Sequence, residues 1–167
     1  TRGSATEIQA GSTIGRPRTT QAFFDDFRTA NSVELMKSGV FFHIMNHSCA
    51  ANVTHMFGIT GRTVAPAAAC STGSLAVGYG AEMISMGKQD FMLCGGADEF
   101  HPLTAATFYI MNAASTRFNE SPGRTPRPFD RDRDGVVCAE GSGILLLESL
   151  DSALRRDAEI LAEIVGF

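Results

Sequence analysis

Short apolar runs punctuated by glycine alternate along this chain with longer stretches of helical period, and each run predicts an element. The opening, Thr1 to Thr20, is rich in Gly, Ser, Thr and Arg without a strong period, so it reads as loop. Asn31 or Ser32 can cap a short helix through Lys37, and a longer helix is expected from Val40 to Phe57, stopped by Gly58. That helix is apolar on most faces, which predicts burial. Arg62 to Ala69 is small and apolar and leads, as a strand, into Cys70, Ser71, Thr72, Gly73 and Ser74; Leu75 to Met86 then reads as helix, ended by Gly87. Pro66 would remove a ladder N–H from that strand, so irregular or unpaired backbone is expected there. Phe91 to Cys94, before Gly95 and Gly96, predicts a buried strand, Pro102 to Ala114 a helix, and Gly143 to Ser149 a further strand. A one- to two-turn helix to Arg156 and a closing strand from Glu159 to Val165 complete the pattern. Strands and helices alternate, which argues an α/β domain with a mixed or parallel sheet.

Candidate chemistry concentrates at Cys70. A cysteine where a buried strand turns into a helix faces the first-turn N–H groups and the positive end of the dipole, which favours the thiolate nucleophile. Ser71, Thr72, Gly73 and Ser74 leave room for a substrate and free backbone N–H groups for an oxyanion. The plainer alternative is that Cys70 is a small buried core residue. The helix after it carries Gly73, Ala76, Gly78, Gly80 and Ala81, small residues that cost helix propensity and imply close packing on several sides.

Composition removes other classes. The 167 residues, 44% hydrophobic, suffice for one domain with a sizeable core. With 14 basic and 18 acidic residues the net charge is -4, spread too evenly to attract polyanions, so no nucleic-acid partner is expected. Four cysteines, at 49, 70, 94 and 138, form no C-x-x-C pair or zinc-type spacing, which reads as reduced thiols in the cytoplasm. No apolar run approaches the roughly 18 residues of a membrane span, and no leader-like start is visible, so no membrane partner is expected.

Asp130 to Gly135 matches the first half of a calcium loop, but the twelfth position is Gly141 and Glu140 falls one residue short. A turn whose acids pair with Arg127, Arg131 and Arg133 is expected instead, with no metal. His43 and His47 stand four apart on the expected helix without the H-E-x-x-H glutamate, and are read as core or interface residues. Phosphate-loop and dinucleotide fingerprints are both missing, so no nucleotide cofactor is expected.

Several motifs in one order are more specific than the cysteine. Ala68-Ala69-Cys70-Ser71-Thr72-Gly73, Gly87-Lys88-Gln89-Asp90 and Cys94-Gly95-Gly96-Ala97-Asp98-Glu99 come first. Ser115-Thr116-Arg117, Arg127-Pro128-Phe129-Asp130, Arg133-Asp134-Gly135-Val136, Glu140-Gly141-Ser142-Gly143, Leu145-Leu146-Leu147-Glu148 and Ala162-Glu163-Ile164-Val165-Gly166-Phe167 follow. From about Gly39 onward the chain resembles the β-ketoacyl synthases, and the arginine-rich block favours that carrier-protein-dependent branch over thiolases.

The resemblance implies a thiolase-like layered α/β/α fold, of which residues 1–167 form the N-terminal domain, incomplete at both ends. The family's first strand with its Gly-rich turn would precede Thr1, and its two catalytic histidines and lysine would follow Phe167. It implies a homodimer, completed by the C-terminal half of the same enzyme. Acyl and malonyl thioesters on acyl carrier protein would be its substrates, in fatty-acid or polyketide biosynthesis, with no cofactor. By the same likeness Cys70 accepts the acyl group, its N–H supplies an oxyanion donor, and Met45 lines the acyl pocket. Asp157 stands where the family usually has the Gly that ends a short helix. The alternative is a chain-length-factor-like subunit of a ketosynthase heterodimer, against which the retained Cys70 argues.

Overall fold

The computed structural model describes residues 6–167. Two units make up the chain, Thr1–Asp98 with Gly141–Phe167, and Glu99–Glu140. The first is built on four strands, β1 (Glu7–Gly11), β2 (Thr63–Val64), β3 (Phe91–Asp98) and β4 (Gly141–Glu148), in the order β2-β1-β3-β4. β1 runs parallel to both β2 and β3, and β4 returns antiparallel along β3, so the sheet is mixed.

Six helices are present among the described residues: α1 (Pro17–Ala30), α2 (Ser38–Phe41), α3 (Ser48–Phe57), α4 (Thr72–Ser85), α5 (Pro102–Ile110) and α6 (Leu150–Arg155). Strand alternation sets which face meets which helix. Ile8 and Ala10 of β1, with Leu93 of β3, pack against Cys49, Ala50 and Val53 of α3. Met92 and Cys94 point to the opposite face, where Gly80 of α4 lies against the Cys94 sulfur. The result is an α/β/α sandwich, and the small residues of α4 are what allow its axis so close to the sheet.

Several elements depart from expectation. The opening segment, expected as loop, contains the buried strand β1 and the start of α1, while residues 1–5 lie outside the described range. β1 escaped notice because half of it is polar: Glu7 and Gln9 are buried toward α4, and the Glu7 carboxylate accepts from Arg62 Nε at 2.8 Å and Gln89 Nε2 at 2.7 Å. Asn31 is the left-handed C-cap of α1 rather than the start of a helix to Lys37. The helix expected over Val40 to Phe57 is broken into α2 and α3, because Ser48 turns its hydroxyl back to the Phe42 carbonyl at 2.7 Å. Gly58 caps α3 as expected, but the helix is largely exposed, with Phe57 at 66%.

β2 is only two residues long and ends before Pro66, as the missing N–H requires. β3 continues through Gly95 and Gly96 to Asp98, beyond the expected Cys94. β4 starts two residues before the expected Gly143, and α5 ends at Ile110 rather than Ala114. Residues 159–165, expected as a strand, have no ladder partner among the described residues and form none. A strand is defined by its neighbour, so apolar alternation alone does not make one.

Asp157, directly after α6, adopts φ 53°, the left-handed conformation that the helix end demands of this position. A Cβ is strained there, whereas glycine is not. Asp157→Gly should therefore raise stability by roughly 0.5 kcal/mol, the Cβ strain relieved less the extra chain entropy of glycine. Denaturation midpoints of the two proteins check this; an unchanged or lower midpoint would contradict it.

In the second unit, α5 opens on His101, whose Nδ1 accepts from the Leu103 N–H at 3.2 Å. Asp134 organises the segment that follows. Its carboxylate accepts from the Ser115 hydroxyl at 2.7 Å and from the Thr116 and Arg117 N–H groups at 2.9 Å. These bonds, the Arg117 N–H foremost, hold its pKa down at about 2. Arg124 and Arg127 flank the Phe118 ring at 4.9 and 5.2 Å. The turn pairs Arg127 with Asp130 at 2.9 Å and Arg131 with Asp132 at 3.7 Å, as expected. Arg133 departs from expectation by donating to the Asp130 carbonyl at 3.0 Å, and Asp134 takes Arg117 as its ion-pair partner at 3.8 Å. Among the described residues no group of three or more His, Cys, Asp or Glu side chains could hold a metal ion.

Candidate active site

The parallel strands β1 and β3 end side by side at Gly11 and Asp98, and α4 begins at the same edge of the sheet. Loops at this edge are where open α/β sheets place their ligands. Between β2 and α4 the chain makes a single 3₁₀ turn, Ala69–Ser71, with Cys70 at its centre. Ala69 has φ 48°, a conformation that costs a residue with a Cβ of order 1–3 kcal/mol and survives only where neighbours impose it.

The neighbours are specific. Thr72 Oγ1 donates to the Ala69 carbonyl at 2.7 Å and accepts from the Ala68 N–H at 2.9 Å. Ser71 Oγ donates to the Ala68 carbonyl at 2.8 Å. Gly11 lets the turn approach the sheet, since a Cβ there would meet the Pro66 carbonyl oxygen and come within 2.6 Å of Thr72 Cγ2. The outcome for Cys70 is exposure, in the turn just before the 14-residue α4, rather than burial within this chain.

A cleft of about 950 Å³ opens over this turn, lined among others by Thr13, Cys70, Gly73, Asp98, Gly143 and Phe167. A Cβ built on Gly73 would find no heavy atom within 4 Å, so the approach beside Cys70 is clear. The Phe167 ring closes the other side, edge-on to Tyr79 at 6.1 Å and seated against Gly78. Cys94 also borders the cleft, but its thiol is buried in the sheet and burial pushes its pKa up to about 12, which keeps it protonated. Burial, and then the Asp98 charge, raise the Cys49 thiol. Of the four free cysteines, Cys70 alone is exposed; Cys49 and Cys138 are half-buried and Cys94 is buried.

The remaining sequence candidates lie elsewhere. His43 and His47 fall in the break between α2 and α3, both exposed, and share no helix. Met45 lies in the same break, its carbonyl accepting from the Ser48 N–H at 2.9 Å, and it is not among the residues lining the cleft. Three residues with no role in the sequence reading of the site join it here. Ser12 Oγ and the Thr13 N–H both donate to Asp98 Oδ1, at 2.7 and 2.9 Å, and Thr13 Oγ1 reaches the Ala69 carbonyl at 3.3 Å. Only the Gly-Gly-Ala-Asp run hinted at Asp98, and nothing marked Ser12 and Thr13 while their strand was unrecognised.

Residues 1–153 match a family model described as the N-terminal domain of beta-ketoacyl synthase. The chain belongs to the β-ketoacyl synthase family. The 3-oxoacyl-[acyl-carrier-protein] synthase 2 of Vibrio cholerae is 44% identical over 71% of this chain and 28% of its own length. A solved β-ketoacyl synthase from Burkholderia phymatum STM815 is 40% identical, with a TM-score of 0.88 over 97% of this chain and 39% of its own. A ketosynthase solved in complex with its type II PKS acyl-carrier protein is 28% identical, with a TM-score of 0.83 over 93% of this chain and 39% of its own. The chain thus spans less than half the length of these relatives. Its thiolase-like layering is theirs, and the α/β/α fold expected from the sequence holds.

Proposed function

We propose that this chain is the nucleophile-bearing part of a 3-oxoacyl-[acyl-carrier-protein] synthase. The observation that carries the reading is Cys70, exposed on a strained turn at the start of α4 and open to a cleft able to admit an acyl thioester. In the first half-reaction the Cys70 thiolate attacks the thioester carbonyl carbon, the oxygen takes the negative charge, and the carrier's thiol leaves as the new Cys70 thioester forms. In the second, a malonyl thioester on carrier protein loses carbon dioxide, and the resulting carbanion attacks the acyl carbon on Cys70. Cys70 leaves as thiolate, and the product is a 3-oxoacyl thioester two carbons longer. The histidines and lysine that would assist decarboxylation belong, on this reading, to the C-terminal half of the enzyme.

The family membership and the ketosynthase relative solved with its acyl-carrier protein support carrier protein as the partner. The same reading makes the enzyme a homodimer of the cytoplasm, with Met45 bordering the acyl chain in the whole assembly. Four free cysteines suit a reducing compartment, and no helix among the described residues is long and apolar enough to cross a membrane.

The test is to incubate the full-length enzyme with acyl-loaded carrier protein and locate the added mass by peptide mass spectrometry. Acylation at Cys70, with Cys49, Cys94 and Cys138 unmodified, is the expected result. An acyl group on another cysteine with Cys70 free would overturn the assignment.

A further inference from the structure

Asp98, Thr13 and Ala69 form a chain of contacts that ends on the peptide bond preceding the nucleophile. Asp98 Oδ1 is held by the Ser12 hydroxyl at 2.7 Å and by the Thr13 N–H at 2.9 Å. The Thr13 hydroxyl has one proton and two acceptors in reach, the Ala69 carbonyl at 3.3 Å and Asp98 Oδ2 at 3.5 Å. From the other side Thr72 Oγ1 donates to the same Ala69 carbonyl at 2.7 Å. A peptide unit is planar and trans, so the carbonyl of Ala69 and the N–H of Cys70 point in opposite directions within one plate. Anchoring the carbonyl therefore aims the N–H. Ala69, at φ 48°, holds a conformation that persists only where neighbours impose it, so the turn depends on its anchors.

We propose that Thr13 and Asp98 are positioning residues for acyl transfer, fixing the Ala69–Cys70 peptide so that the Cys70 N–H meets the oxyanion of the tetrahedral intermediate. This rests on the acyl-transfer reading of Cys70 given above. Asp98 acts on the loop after β1, and Thr13 acts on the Ala69 carbonyl. Removing an oxyanion donor outright costs about 10²–10³ in rate, so letting one swing costs less, about tenfold.

The experiment uses the full-length enzyme and compares two reactions of the same sulfur. Transfer of an acyl group from acyl-loaded carrier protein builds charge on a carbonyl oxygen. Alkylation by iodoacetamide displaces iodide at a saturated carbon and builds none, so it reports the thiol without the N–H. Thr13→Val should lower the maximal rate of acyl transfer about tenfold with KM little changed, while alkylation of Cys70 keeps its wild-type rate. Thr13→Ser, which retains the hydroxyl, should restore transfer. Asp98→Ala should reproduce the Thr13→Val defect, and the double variant should be no worse than either single one, as expected of residues acting in series. Wild-type transfer in Thr13→Val overturns the proposal, as does a parallel fall in alkylation, which would make the network a support of the fold alone. A wild-type enzyme that is alkylated at Cys70 but never acylated would refute the acyl-transfer reading itself, a different result from either.

Discussion

Replacing Cys70 by Ala in the full-length enzyme should abolish acyl loading and lower condensation by at least about a thousandfold, as loss of an attacking nucleophile does elsewhere. The fold should not notice. Cys70 is exposed, its side chain adds nothing to the packing between α4 and the sheet, and the turn is held by Ser71, Thr72 and the backbone rather than by the thiol. The melting temperature should therefore match the wild type, which separates loss of chemistry from loss of structure. Cys49→Ala and Cys138→Ala serve as controls that should keep acyl transfer at Cys70. Rates of 3-oxoacyl product formation measured beside thermal melts decide the matter, and residual condensation above one part in about a hundred would mean that another group carries the acyl chain.

The largest structural effect is expected at Gly95. It lies in the middle of β3 with φ 154°, paired to Ile144 of β4, and a Cβ built on it would run into the Gly143 carbonyl oxygen and lie 2.9 Å from the Gly143 carbonyl carbon. Both obstacles are backbone atoms inside a ladder, which have no rotamer to yield with. Gly95→Ala combines an unfavourable conformation with a clash, and should destabilise by about 3 kcal/mol or more. The consequence reaches the site, because β3 ends at Asp98 and Gly143 borders the cleft. Denaturant midpoints and the yield of soluble protein would register it. A midpoint within about 0.5 kcal/mol of wild type would show that the two strands can part locally without cost.

The motif-bearing segments were legible because their signals are local. Gly58 and Gly87, both at positive φ, end α3 and α4 where the sequence has them ending helices. Pro66 cuts β2 short because it lacks a donor, a property of the residue itself. The run around Cys70 marked the turn and the helix after it, although α4 starts at Thr72 rather than the expected Leu75, and the resemblance to a family that usually has glycine at the position of Asp157 marked the left-handed turn there. These features depend on a few consecutive residues, whose conformational preferences the chain carries wherever it is placed.

What stayed hidden depended on partners distant in sequence. β1 is a strand because β2 and β3 flank it, and its buried Glu7 is satisfied by Arg62 and Gln89, more than fifty positions away, so no hydrophobic pattern marked it. Residues 159–165 show the converse, a strand-like pattern without a neighbour to pair with among the described residues. On the sequence, Cys94 ends an expected buried strand while Cys70 stands at an expected strand-to-helix turn. Packing gives that difference its chemistry, one thiol buried against Gly80 and held protonated, the other exposed on a turn. The sequence by itself determined the glycine stops after α3 and α4, the turn on which Cys70 lies, and the family. The tertiary structure alone decided which strands form the sheet and how Thr13 and Asp98 come to bear on the Ala69 carbonyl, because ladder pairing and burial are relations between segments rather than properties of any one of them.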